Sequence, residues 1–263
     1  MAATILDQLA GHARERVARA KEARPLEQVM AVARSMNCDT GFPFERALKG
    51  PDVSFICECK RASPSRGLIA PEFPYLRIAK EYEAAGAAAI SVLTEPKWFL
   101  GSDEYLREIA AEVGVPCLRK DFTVDEYMIC EAKLLGAAAV LLIVSLLDKA
   151  TLRHFIEICD GLGLSALVEA HDEGEIRMAL DAGARVIGVN NRNLKDFSVD
   201  VGNSGRLRSL VPEGIIFVAE SGIQTAEEVE AMRRAGVNAV LVGTALMSAP
   251  DKRAALNALR GGD

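Results

Sequence analysis

The sequence predicts an α/β fold, a closed (β/α)8 barrel of the TIM type with an N-terminal helical extension. Three observations predict it. Eight short apolar runs alternate with eight helix-patterned segments, at a strand-to-strand spacing of 22 to 34 residues, the length of one βα unit. The strands are apolar on both parities, as parallel strands covered on both faces must be. Four of the helices end in a glycine just before the next strand, at Gly86, Gly136, Gly183 and Gly236, suited to the left-handed position that stops a helix. Eight such units in about 210 residues point to closure of the sheet. An open doubly wound sheet would want a G-x-G-x-x-G fingerprint after its first strand, and KRASPSRG is not one.

The elements follow in order. Thr4–Glu22 is amphipathic, and Pro25–Met36 opens a second helical stretch with proline in its first turn. Residues 1–50 therefore read as a helical extension packed on a barrel of residues 51–263, across its mouth or rim, with no linker between them. Strands are expected at Ser54–Lys60, Ala88–Thr94, Val115–Lys120, Ala138–Ser145, Leu164–Glu169, Val186–Asn191, Ile215–Glu220 and Ala239–Gly243. Helices are expected at Glu72–Ala85, Asp103–Val113, Asp125–Leu135, Asp148–Gly161, Asp172–Ala182, Asn203–Leu210, Thr225–Ala235 and Asp251–Leu259. Several open on an acidic or hydroxyl side chain suited to an N-cap.

Composition narrows the function. The 263 residues are 50% hydrophobic and 26% charged, with a net charge of −6, which argues against a nucleic-acid partner. No apolar run approaches a membrane span, and the charged N-terminus has no signal-peptide core. The six cysteines form no Cys-x-x-Cys pair and no zinc spacing, so they read as reduced, buried thiols of a cytoplasmic protein with no metal.

In such a barrel the chemistry sits at the C-terminal strand ends. There the sequence places Glu58 and Lys60, Lys120, Glu169, Asn190 and Arg192, Glu220 and Ser221, and Gly243 and Thr244. Side chains alternate along a strand, so Ile56, Glu58 and Lys60 share one face and Phe55, Cys57 and Cys59 the other. The apolar set suits the helix layer, which turns Glu58 and Lys60 inward. In the sixth strand the same parity groups Gly188, Asn190 and Arg192. A charge at a strand end can simply mark where the chain surfaces. Two lysines and two or three glutamates converging on one mouth instead make an acid–base set. Gly222, Gly243 and Thr244 follow the last two strands, where this fold commonly cradles phosphate on backbone N–H groups. The polar loop Arg61–Leu68 reads either as a solvated loop or as a lid over an anionic substrate.

The strings ECKRASPSRG, SVLTEPKWFLGS, LRKDF, LVEAHDEGE, IGVNNRNL, VAESGI and VGTALM, in this order, resemble the indole-3-glycerol phosphate synthase family over nearly the whole chain. E-x-K-R-x-S-P-S, L-x-K-D-F and N-N-R-x-L together carry the specificity. The resemblance implies a carbon–carbon lyase of tryptophan biosynthesis with no cofactor. Its substrate would be 1-(2-carboxyphenylamino)-1-deoxyribulose 5-phosphate, and ring closure, decarboxylation and dehydration would yield indole-3-glycerol phosphate. It further implies Lys120 as general acid and Glu169 as the base of dehydration. Lys60 would hold the substrate carboxylate, Glu58 orient the lysines and Asn190 position the reacting groups. Arg192, Ser221, Glu220 and Ser63 would bind substrate, and Leu93, Phe122 and Leu142 would surround its aryl ring. Gly222, Gly243 and Thr244 would bind its phosphate. The expected partner is this small phosphorylated molecule, with no nucleic acid or membrane, in a monomer or weak homo-oligomer. The chain departs from the family pattern at Asn193, Pro96 and Leu100, and in the cysteines flanking Glu58. Rival readings on the same barrel are a sugar-phosphate isomerase, disfavoured by Glu58 and Lys60 on strand one, a Schiff-base aldolase using either lysine, and a barrel that has lost catalysis.

Overall fold

All eight apolar runs form strands, and they close on themselves. In the computed structural model, which describes residues 4–193 and 197–262, β1 (Ser54–Cys59) pairs in parallel with both β4 (Ala89–Leu93) and β10 (Ala239–Val242). Between them run β5 (Cys117–Lys120), β6 (Ala139–Ile143), β7 (Ser165–Ala170), β8 (Val186–Asn190) and β9 (Ile216–Glu220), each parallel to its neighbour. The remaining two strands, β2 (Ala62–Ser63) and β3 (Gly67–Leu68), form a small antiparallel ladder within the expected lid loop. Leu194 of the N-N-R-x-L motif lies outside the described residues.

Alternation sorts the strand residues into two layers. Ile56, Leu118, Leu141, Leu167, Val186, Val218 and Leu241 fill the barrel interior. Phe55, Cys57, Cys59, Val140, Leu142, Val168 and Val240 pack under the helices. Those helices are α4 (Tyr75–Ala84), α5 (Asp103–Glu112), α6 (Glu126–Leu134), α7 (Lys149–Gly161), α8 (Glu173–Ala182), α9 (Gly202–Leu207), α10 (Ala226–Arg234) and α12 (Lys252–Leu259), with the short α11 (Thr244–Ser248) after β10. Side-chain caps fix several starts: Asp125 accepts the Tyr127 N–H, Asp148 that of Thr151, and Thr225 and Glu228 form a reciprocal capping box.

Five strands end one residue from the expected position, β6 ends two residues early, and β5 and β9 end where expected. β6 stops at Ile143, and Val144–Leu146 form a 3-10 turn as the chain rolls over the rim. β10 stops at Val242, so Thr244 opens α11 instead of ending the strand.

The first fifty residues reach both ends of the barrel. α1 (Ile5–Ala23) lies at the catalytic end, where the buried Asp121 takes a bidentate pair from Arg16 (2.6 and 3.1 Å) and the buried Glu95 faces His12 Nδ1 at 3.1 Å. α2 (Leu26–Ser35) packs against α6. α3 (Pro43–Ala47) sits at the opposite end, with Phe44 and Leu48 entering the interior core. Its Glu45 accepts hydrogen bonds from Arg185 (2.9 Å) and Ser165 (3.3 Å), which precede β8 and begin β7. Among the described residues no helix is long and apolar enough to cross a membrane.

Candidate active site

A cavity of about 330 Å³ opens at the C-terminal ends of the strands. Its walls include Glu58 and Lys60 from β1 and its exit, Lys120 from β5, Glu169 from β7, Asn190 and Arg192 from β8 and its exit, and Glu220 from β9. The parity argument therefore describes the real arrangement. Glu58 and Lys60 point inward and pair at 2.5 Å, while Cys57 and Cys59 face the helices. Burial pushes the Cys57 thiol up to about 12, so it does not offer a thiolate.

Lys120 is the hub. Its Nζ lies 3.5 Å from Glu169 Oε2 and 3.6 Å from Glu220 Oε2. Burial opposes its charge, but Glu169, Glu220 and Glu58 outweigh burial and raise its pKa, keeping the ammonium protonated. Burial likewise opposes ionisation of Glu58, and Lys60 and Lys120 overcome it, so that carboxyl lies below its ordinary range.

Glu169 and Glu220 divide differently. Glu169 has Lys120, His171 and an Asn190 amide at 3.2 Å to offset its burial, and its pKa is lowered. Glu220 is buried beside that carboxylate, shares Lys120 with it, and has an Oε1 with no hydrogen-bond partner among the described residues. Burial and repulsion from Glu169 push it up to about 8. Of the two neighbouring carboxyls, Glu220 is thus the weaker acid, because it is buried beside the Glu169 charge. Gly188 makes room for this, since a Cβ there would stand 2.1 Å from Glu220 Oε1.

The rest of the cavity is graded by chemistry. Leu93 and Phe122 line one wall with Phe99, Leu141 and Ile143, and Ile5, Leu6 and Leu9 of α1 complete it. Leu142 does not belong there. It faces the helix layer, and its neighbours Leu141 and Ile143 take the inward positions, because adjacent strand residues point to opposite faces. Ser63, Ser65 and Arg66 of the expected lid also line the cavity, as do Ser221, Gly222, Gly243 and Thr244. Arg192 donates its backbone N–H to Asn190 Oδ1 and its Nη1 to the Phe197 carbonyl. Burial, then the nearby Arg66, lowers its pKa; two guanidinium groups at one mouth suit an anion between them.

Gly243 carries more than the sequence suggested. A Cβ there would stand 2.4 Å from Glu58 Oε1 and 3.0 Å from Lys60 Nζ, so this glycine keeps space for the ion pair. Gly222 has φ +85°, beside Ser221 at φ +67°, and a Cβ on it would meet Val199 and Val201.

Three side chains escaped sequence reasoning. Glu95 is fully buried, and its carboxylate collects the backbone N–H groups of Lys97, Trp98 and Phe99 at 2.7 to 3.0 Å, shaping the loop after β4. Asp121 ties Thr94, Arg16 and the Phe122 N–H together next to Lys120. His171 stands behind Glu169, on the inward parity of β7, a signal the sequence did contain. Among the described residues no group of three or more His, Cys, Asp or Glu side chains is placed to hold a metal ion.

Similarity to known proteins identifies the fold and the family. Two solved structures share the fold: thiamine phosphate pyrophosphorylase from Pyrococcus furiosus (TM-score 0.58, 22% identity, 80% of this chain and 94% of that one) and KGPDC from Streptococcus mutans (TM-score 0.61, 11% identity, 80% and 96%). At that identity they speak for the barrel alone. The indole-3-glycerol phosphate synthase of Ruminiclostridium cellulolyticum is 55% identical over 257 residues, 98% of this chain and 99% of that protein. The enzyme of the same name from Lachnoclostridium phytofermentans is 50% identical over 97% of this chain and 98% of its own length. The model of that family matches residues 6–259, so the chain belongs to the indole-3-glycerol phosphate synthase family.

Proposed function

We infer that the chain closes, decarboxylates and dehydrates 1-(2-carboxyphenylamino)-1-deoxyribulose 5-phosphate to indole-3-glycerol phosphate, the family's step in tryptophan biosynthesis. The observation that carries the residue assignment is the hub: the Lys120 Nζ lies 3.5 Å from Glu169 and 3.6 Å from Glu220 on the cavity wall. In ring closure, the ring carbon bearing the carboxylate bonds to the ribulose carbonyl carbon. The carbonyl oxygen takes a proton from Lys120, and loss of carbon dioxide restores the aromatic ring. In dehydration, Glu169 removes a proton from the substrate while the leaving hydroxyl takes one from Lys120, reprotonated after ring closure, and departs as water. Lys60 holds the substrate carboxylate and is itself held by Glu58. Asn190 fixes the Glu169 carboxylate. Leu93 and Phe122 receive the aryl ring. Arg192, Ser221 and Ser63 bind polar groups, and Gly222, Gly243 and Thr244 hold the phosphate at the other end of the cavity. Glu220, beside Lys120 on the same wall, binds substrate with them.

The direct test is incubation of the purified protein with this substrate while indole fluorescence is followed; no product refutes the reading. The role of Glu169 is tested by single turnover of Glu169→Gln. A base of dehydration predicts carbon dioxide released well ahead of indole. Equal slowing of both products removes Glu169 from the proton transfers. On the same reading, residues 1–50 are an extension forming one structural unit with the barrel of residues 51–263, in a cytoplasmic monomer or weak homo-oligomer. Sedimentation at working concentrations tests the last point.

A further inference from the structure

The side chain behind Glu169 has no part in that scheme, yet it is built into the site. His171 follows β7 at the rim and is about one-fifth exposed. Its Nδ1 lies 3.1 Å from Glu175 Oε2 in the first turn of α8, and the same oxygen accepts the His171 backbone N–H at 2.7 Å. Asn203 of α9 donates to the His171 carbonyl at 3.2 Å. The ring is thus held from α8, and the backbone that carries it from α8 and α9. Its other nitrogen, Nε2, points to Glu169 Oε1 at 3.6 Å and has no closer partner.

Both ring nitrogens face carboxylate oxygens, which accept hydrogen bonds and, when ionised, donate none. A neutral ring would set a lone pair against one of them. The arrangement therefore favours the imidazolium, whose charge has a carboxylate on either side. Burial works against that charge, but the hydrogen bond to Glu175 and the carboxylates of Glu169, Glu175 and Glu220 outweigh it and raise the pKa of His171. From the side of Glu169 the need is equally plain. It is buried near Glu58 and Glu220, and Lys120 is shared among all three. A base must be ionised to take a proton, and a second cation on its far edge supplies what a divided lysine does not.

We propose that His171 is a positioning residue of the reaction: anchored by Glu175, it orients the Glu169 carboxylate and keeps it ionised for the dehydration step. This deepens the function proposed above and rests on Glu169 being that base.

The experiment is the pH dependence of indole formation in single turnover for the parent, His171→Asn and Glu175→Gln. Loss of the cation makes the Glu169 carboxylate harder to ionise, so the acid limb should move to higher pH, by about one unit in His171→Asn. Glu175→Gln keeps the ring but weakens its charge, and should move the limb the same way by less. KM should change less than about twofold in both. A limb that stays in place, or a rate lowered by one factor at every pH, overturns the proposal. Glu169→Gln separates the two levels. If it turns over like the parent, the reading of Glu169 itself fails. If it is inactive while the limb stays in place in both other variants, only the role of His171 falls.

Discussion

At the scale of single residues, the site is governed by how few cations serve how many buried carboxylates. Lys120→Met should lower turnover by roughly 10² to 10⁴, the range of general acid catalysis, with a smaller effect on substrate affinity. Steady-state kinetics checks this, and near-parent turnover would remove Lys120 as the acid. Glu220 makes a separate prediction. Its folded pKa of about 8 lies above its ordinary 4.5. Between these values the folded protein holds a proton that the unfolded chain has released, so this group's contribution to stability falls as pH rises through that window. Gln is neutral throughout and shows no such loss. Glu220→Gln should therefore gain stability over the parent as pH rises from 5.5 to 9, by on the order of a few kcal/mol. Urea unfolding at the two pH values measures it. A pH-independent difference would mean that Glu220 is ionised in the fold.

At the scale of elements, the junction of β10 and α11 keeps space for the Glu58–Lys60 pair and, on the proposed function, also cradles the phosphate, and the two are tested apart. Bulk at Gly243 strikes Glu58 and Lys60 before it reaches a phosphate. Gly243→Val should therefore depress turnover as well as affinity, where a pure phosphate cradle would lose affinity alone. Thr244→Asp leaves that space free and places a negative charge at the cradle. It should raise KM by at least about tenfold, equivalent to roughly 1.4 kcal/mol, with a smaller change in turnover. An unchanged KM would move the phosphate site elsewhere. The loop after β4 shows the same economy. Pro96 has no N–H to satisfy, and Glu95 gathers the next three, which lets Leu100 take a positive φ of 51° before Gly101 passes close to β4.

At the scale of the whole molecule, the extension is fastened to the catalytic end by charges the barrel has buried. Arg16→Ala leaves Asp121 without its main counter-charge, one residue from Lys120. It should destabilise the protein by on the order of 3 kcal/mol. Arg233→Ala removes an exposed pair with Asp52 and should cost under about 1 kcal/mol. Thermal melts of the two variants make the comparison. Similar small shifts would show that α1 is not held through this contact.

The barrel was legible because periodicity is a local property. Alternating apolar runs, helix stops and strand-end charges each occupy a few consecutive residues, so all eight strands and the inward parity of Glu58, Lys60, Asn190 and Arg192 follow from reading along the chain. The family motifs lie at those same strand ends and brought Lys120 and Glu169 with them. Legibility failed where two neighbouring readings were locally equal. AVLLI is apolar on both parities, so nothing in it distinguishes Leu142, which faces the helices, from Leu141, which faces the cavity. Gly243 resembles any turn glycine until Glu58 and Lys60, some 180 residues away in sequence, are brought against it. Glu95 and Asp121 look like loop charges until α1 covers them, and His171 becomes a partner of Glu169 only once α8 presents Glu175. Which buried carboxyl is the weaker acid was likewise decided by the tertiary structure alone, because a pKa depends on desolvation and on distances between charges from different strands, and neither is a property of the local sequence.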